Sequence, residues 1–122
     1  MRDYPEFENP QQRPRYTGLP TFMRTPYRED IEGLDIALVG IPFDGGVTNR
    51  TGARHGPREI RNQSSLMRMI NQATGINPYE LCSIADVGDA WVQKPFELTG
   101  ALQEIEDFFQ MVHQSGTVPV SA

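Results

Sequence analysis

The run Asp35-Ile36-Ala37-Leu38-Val39-Gly40-Ile41-Pro42-Phe43 constrains the fold more than any other stretch of this sequence. It is short, almost continuously apolar, and followed by a polar segment rich in glycine. A strand with one face in water would alternate apolar and polar residues. An unbroken apolar run of this length reads as a strand covered on both faces, as in a parallel sheet. Cys82-Ser83-Ile84-Ala85-Asp86-Val87 predicts a second strand ending at Gly88-Asp89, and Thr117-Val118-Pro119-Val120-Ser121 predicts a third. Gly56-Pro57 opens a helix with proline in its first turn, predicted to run to about Ile70 with Ile60, Leu66, Met67 and Ile70 as its apolar stripe. Asn71 to Tyr79 reads as a connection. Leu98, Ala101, Leu102, Ile105, Phe108, Phe109 and Val112 recur at the spacing of an amphipathic helix, with Glu104, Glu106, Asp107 and Gln110 opposite and Gly116 placed to end it. Strand–helix–strand–helix–strand implies a parallel α/β sheet with right-handed crossovers and helices on its faces.

Residues 1–34 differ in character. They hold five of the ten prolines (Pro5, Pro10, Pro14, Pro20, Pro26) and the apolar side chains Tyr4, Phe7, Tyr16, Leu19, Phe22, Met23 and Tyr27. Proline restricts both its own backbone and that of the residue before it. An extended arm with little regular structure follows, and its aromatics suit it to lie on another surface. The sequence thus divides into a Pro-rich arm, 1–34, and an α/β portion, 35–122. A third strand would leave one edge of the sheet open, so the second portion reads as part of a larger domain.

Composition narrows the function classes. At 122 residues and 13.8 kDa the chain is of single-domain size. Hydrophobic residues at 38% exclude full disorder. A net charge of −5 and a pI near 4.9 argue against nucleic acid or an anionic membrane as partner. No apolar run approaches the ~18 residues of a membrane span, and Met1-Arg2-Asp3-Tyr4-Pro5 does not open a secretory signal. The single cysteine, Cys82, cannot form an internal disulfide, so a cytoplasmic location is expected. In a strand it reads as a small buried hydrophobe. Two histidines and one cysteine are too few for an ordinary zinc site, which leaves carboxylate-rich metal sites open.

The richest segment runs from Phe43 to Arg61 and links the carboxyl end of the first strand to a helix N-terminus, where open α/β sheets bind ligands. It contains Gly45, Gly46, Gly52 and Gly56, and Arg50, Arg54, Arg58 and Arg61. Free amides at the helix start and four arginines would accept a phosphate or carboxylate. Neither a Walker A loop nor a G-x-G-x-x-G fingerprint is present. The other reading is structural. The glycines would serve turns, and the arginines would pair with residues 79–107, which carry seven acids against one lysine. His113 flanks the last helix as a surface residue. Asp86 and Asp89 read as strand-end and turn residues.

Gly40-Ile41-Pro42-Phe43-Asp44, then Asn49-Arg50-x-Gly52-Ala53-Arg54-His55-Gly56-Pro57-Arg58-x-Ile60-Arg61, resembles the start of the ureohydrolases, the arginase and agmatinase family. Ile84-Ala85-Asp86-Val87-Gly88-Asp89 resembles its second strand and the following turn. The likeness spans about residues 35–121, and the arm looks like that of the bacterial guanidinobutyrase and guanidinopropionase branch. Thr51 stands where the family usually has proline, which removes some stiffness from the loop.

The resemblance implies a three-layer αβα parallel sheet of the arginase type, of which only the first βαβαβ portion is present. It implies a cytoplasmic, manganese-dependent hydrolase that splits a small guanidino substrate (agmatine, 4-guanidinobutyrate or 3-guanidinopropionate) into urea and an amine. Two Mn²⁺ ions would share and acidify a bridging water, and the hydroxide would attack the guanidinium carbon. The family is commonly a homo-oligomer, trimer or hexamer. Its metal ligands lie in downstream motifs, Gly-Gly-Asp-His, Asp-Ala-His-x-Asp and Ser-x-Asp-x-Asp, which do not occur here. The resemblance therefore assigns no catalytic residue and no metal ligand to this chain, which is expected to be inactive alone. Thr48, Asn49, Arg50 and His55 are its candidates for the substrate entry, with Arg50 meeting a substrate carboxylate. One alternative is a non-catalytic truncated module that associates with full-length subunits. Another is an anion-binding α/β domain built on the arginine-rich loop.

Overall fold

The computed structural model describes residues 14–122. Three parallel strands, β1 (Ile36–Gly40), β2 (Ile84–Asp89) and β3 (Val118–Ser121), form a sheet in the order β2–β1–β3. The helices are α1 (Gly56–Ser64), α2 (Pro78–Leu81) and α3 (Leu98–Gln114), with 3-10 turns at Phe22–Arg24 and Ala53–His55. The fold is the parallel α/β arrangement that the apolar runs imply.

The central place of β1 explains its composition. Ala37 and Val39 are fully buried and share a face with Ala85 and Val87 of β2. Leu34, Ala90 and Val112 of α3 complete this core, and Phe108 and Phe109 pack against it. The opposite face carries Leu38 and, across from it, Asp86, where α1 and the arm lie. Pro119 is tolerated in β3 because that strand is at the sheet edge. Pairing between β1 and β2 slips after Leu38, so that Gly40 stands opposite Asp89. Such a bulge re-aims a side chain at the strand end.

Residues 21–26 pack on the body of the same chain, whereas Tyr16 and Leu19, expected to lie on another surface, are exposed. Phe22, Arg24 and Thr25 are buried. Pro26 O accepts from Asp86 N–H, and Arg28 N–H donates to Asp86 O, both at 2.9 Å. Tyr27 thereby forms a single parallel bridge along the outer edge of β2. The part of the arm with Tyr4, Pro5, Phe7 and Pro10 lies outside the described residues.

Three sequence expectations are corrected. Helix α1 stops at Ser64 rather than near Ile70, and Leu66, Met67 and Ile70 are exposed. Ser64 Oγ accepts from Met23 N–H at 2.8 Å and donates to Arg61 O at 3.1 Å, so the arm meets the helix where it ends. The connection after Asn71 contains α2, whose first turn is capped by Asn77 Oδ1 accepting from Tyr79 N–H at 3.0 Å. Cys82 lies between α2 and β2, half-buried, not inside the strand. The end of α3 agrees with its sequence. Gly116, at φ +82°, takes the left-handed conformation after the helix and donates its N–H to His113 O at 3.0 Å.

Candidate functional site

The long loop leaves β1 at Gly40 and enters α1 at Gly56. Its first polar side chain, Asp44, is only 4% exposed. Asp44 Oδ2 accepts from Gly52 N–H at 2.7 Å and from Arg54 N–H at 3.3 Å. Oδ1 accepts from Arg54 Nε at 2.8 Å and lies 2.7 Å from Arg54 Nη2. The Arg54 side chain and the Gly52 amide together hold the Asp44 carboxyl well below the usual carboxylate range. The loop is therefore tied across its base, and the residues between the tied points project outward. The β2–α3 loop adjoins it. Pro95 O lies 3.3 Å from where a Cβ on Gly45 would stand, and Trp91 and Phe96 are exposed there.

Thr48, Asn49 and Arg50 are all exposed on the projecting part of this loop. His55 is exposed too, but at the N-cap of α1, where its side chain makes no capping bond. Among the described residues, no hydrogen bond or ion pair joins any two of these four. They share one end of the sheet without forming a cluster. Sequence reasoning missed Asp44, since nothing in local spacing connects it to residues eight and ten positions on.

The four arginines divide. Arg61 donates from Nε to Asp86 Oδ2 at 2.8 Å and from Nη2 to Asp86 Oδ1 at 3.1 Å. Its Nη1 lies 2.8 Å from Asp89 Oδ1, a charge contact without the alignment of a hydrogen bond. Its guanidinium stacks over the Phe22 ring at 4.1 Å. Burial opposes the charge on Arg61, but the Asp86 and Asp89 carboxylates outweigh it and raise its pKa. Asp86 also accepts from Phe22 N–H and Gly88 N–H, each at 2.9 Å. The structural reading thus holds for Arg61, paired with two acids of residues 79–107, but not for Arg54, whose partner is Asp44 in its own loop. Arg50 and Arg58 are exposed and have no ion partner among the described residues.

This arrangement can bind an anionic group but offers no metal centre. Asp86 and Asp89 are engaged by Arg61, and His113 is exposed on α3. Among the described residues no three His, Cys, Asp or Glu side chains converge as metal ligands. The residues present therefore do not fit a two-manganese site. A groove of about 650 Å³ between the arm and α1, lined by Arg15, Leu19, Thr21, Tyr27 and Leu66 among others, includes none of residues 44–55. No helix among the described residues is long and apolar enough to cross a membrane.

A family model described as Arginase family matches residues 34–122. Guanidinopropionase of Pseudomonas aeruginosa is 49% identical over 119 residues, covering 98% of this chain and 37% of its own length. Mitochondrial agmatinase of Gallus gallus is 39% identical over 107 residues, covering 88% of this chain and 31% of its own. The solved structure of proclavaminate amidino hydrolase from Streptomyces clavuligerus superposes with a TM-score of 0.78 at 34% identity, covering 83% of this chain and 33% of that one. The chain thus spans about a third of the length of the curated relatives it matches.

Proposed function

The chain belongs to the arginase family, and from that premise we propose that it supplies one wall of the substrate mouth in a hydrolase cleaving a guanidino compound to urea and an amine. The observation that carries this reading is the exposed, unpaired Arg50 on the loop at the carboxyl end of a buried parallel strand. A guanidino substrate is cationic at the end that reacts. Arg50 repels that end and attracts an anionic one. A guanidino acid such as 3-guanidinopropionate or 4-guanidinobutyrate carries its carboxylate at the opposite end, which suits Arg50. Agmatine has no carboxylate for it. Thr48 and Asn49 add hydroxyl and amide groups beside Arg50, and His55 extends the polar surface to the helix start.

Two Mn²⁺ ions are the proposed source of the attacking hydroxide. The described residues hold no ligand set for them, so the task proposed for this stretch is to bind and orient substrate. The same reading places the enzyme in the cytoplasm as a homo-oligomer.

The test is urea release, with Mn²⁺, by the natural protein that carries this sequence, across 3-guanidinopropionate, 4-guanidinobutyrate and agmatine. Arg50→Ala should raise KM for the guanidino acids about tenfold, in line with loss of one charge-assisted contact, and leave agmatine within about twofold. An unchanged KM for the acids refutes the role of Arg50. Chelation with EDTA should abolish urea release and added Mn²⁺ should restore it. No urea from any of the three compounds refutes the hydrolase itself.

A further inference from the structure

We propose that Asp44 is a positioning residue for substrate recognition: it locks the 44–54 loop and neutralises Arg54, leaving Arg50 as the single unpaired cation of that loop. The inference rests on the guanidino-hydrolase reading above and goes beyond it by naming what holds the recognition loop in place.

Asp44 is nearly sealed from solvent, while residues 45–54 that it ties down are exposed. Its two oxygens take two backbone amides and two guanidinium nitrogens, at 2.7, 3.3, 2.8 and 2.7 Å. Carboxylate–guanidinium pairs of this forked kind fix geometry as well as charge. The segment they span contains Gly45, Gly46 and Gly52, and it ends in the Arg54 pairing rather than in a sheet ladder. Without the tie such a segment samples many conformations. The Arg54 side chain is half exposed, so without Asp44 it would present a second positive charge beside Arg50. One carboxylate therefore sets both the shape of the loop and the number of cations it shows. Asp44 touches no substrate in this scheme; it acts through Arg50.

The test compares Asp44→Asn, Arg54→Gln and Arg50→Ala in the natural protein. Asp44→Asn should raise KM for 3-guanidinopropionate at least fivefold with kcat within twofold. Arg54→Gln, which leaves the buried carboxylate and its amide bonds in place, should raise KM in the same direction by less. In the Arg50→Ala background, Asp44→Asn should bring no further rise in KM, since both act on one contact and the released Arg54 can only offset the loss. A further loss of the same size in that background, or equal loss of kcat on every substrate, would make Asp44 merely structural and overturn the proposal. Amide hydrogen exchange supplies a second measurement independent of turnover. The Gly52 and Arg54 amides should exchange at least tenfold faster in Asp44→Asn; unchanged exchange overturns the proposal even for a protein that releases no urea. Failure of the unsubstituted protein to hydrolyse any guanidino compound, with faster exchange in the variant, counts against the hydrolase reading and leaves the lock itself standing.

Discussion

At the scale of single residues, Asp86 does most to hold the described structure together. It is 1% exposed and receives the Arg61 guanidinium, the Phe22 amide and the Gly88 amide at once. One carboxylate thereby joins β2, α1 and the arm. Neutralising it leaves a largely buried cation without its main partner, which costs about 2–4 kcal/mol. Asp86→Asn should lower the urea midpoint accordingly, while Asp89→Asn, whose side chain is 32% exposed, should cost about 1 kcal/mol. Equal losses would contradict this ranking. Gly40→Ala belongs to the same network. A Cβ there would overlap Asp89 Oδ1 and lie 2.8 Å from the Pro57 ring, so we expect a destabilisation of about 1–3 kcal/mol from overpacking. The Asp44 lock has a pH signature as well. Its pKa is depressed in the folded chain, so its contribution is complete above the ordinary carboxylate value of 3.8 and is lost only as pH falls toward the lower folded value. Protection of the Gly52 amide should therefore be flat from neutral pH down to about 4 and decline below that. A decline centred near pH 6 would implicate another group. The sequence marked the loop as the chemically rich segment, but it read Asp86 and Asp89 as strand-end and turn residues, whereas Asp86 lies in the middle of β2 and Asp89 is its last residue. Nor could the sequence show which arginine meets which acid, because Arg61 and Asp86 are 25 positions apart and only the crossover brings them together.

At the scale of elements, legibility followed the source of the structural constraint. Strand β1 was plain because both its faces are covered and every residue from Ala37 to Val39 had to be apolar. Helix α3 was plain because its stripe and its terminating glycine are local signals. Gly116 has open space around it but a φ of +82°, so Gly116→Ala should cost about 1 kcal/mol of thermal or chemical stability from backbone strain alone. A neutral result would show that the helix end relaxes to another cap. The end of α1 was misread for the opposite reason. Leu66, Met67 and Ile70 keep helical spacing beyond Ser64, yet the helix stops where Ser64 bonds to the arm at Met23. That contact spans 41 residues, and periodicity carries no trace of it. The short helix α2 was missed because four residues are too few to show a period, although Asn77-Pro78 is a legible start signal.

At the scale of the whole molecule, the two sides of the sheet differ. On one side the arm seals β2. On the other, Val118 and Val120 of β3 are 59% and 47% exposed, and Leu98, Leu102 and Met111 of α3 are about half exposed. Apolar surface of this extent is characteristic of a face that something covers. The 122-residue chain in isolation should therefore enhance ANS fluorescence and melt broadly. A sharp cooperative melt without ANS binding would show that this surface is stable in water. The bridge at Tyr27 gives the sheet a direction. The backbone N–H and C=O of Asp86 on the outer side of β2 are already occupied by Pro26 and Arg28, so an incoming strand finds no free ladder at the middle of that edge. The sheet is a one-way template: whatever lengthens it, from this chain or another, must join beside β3.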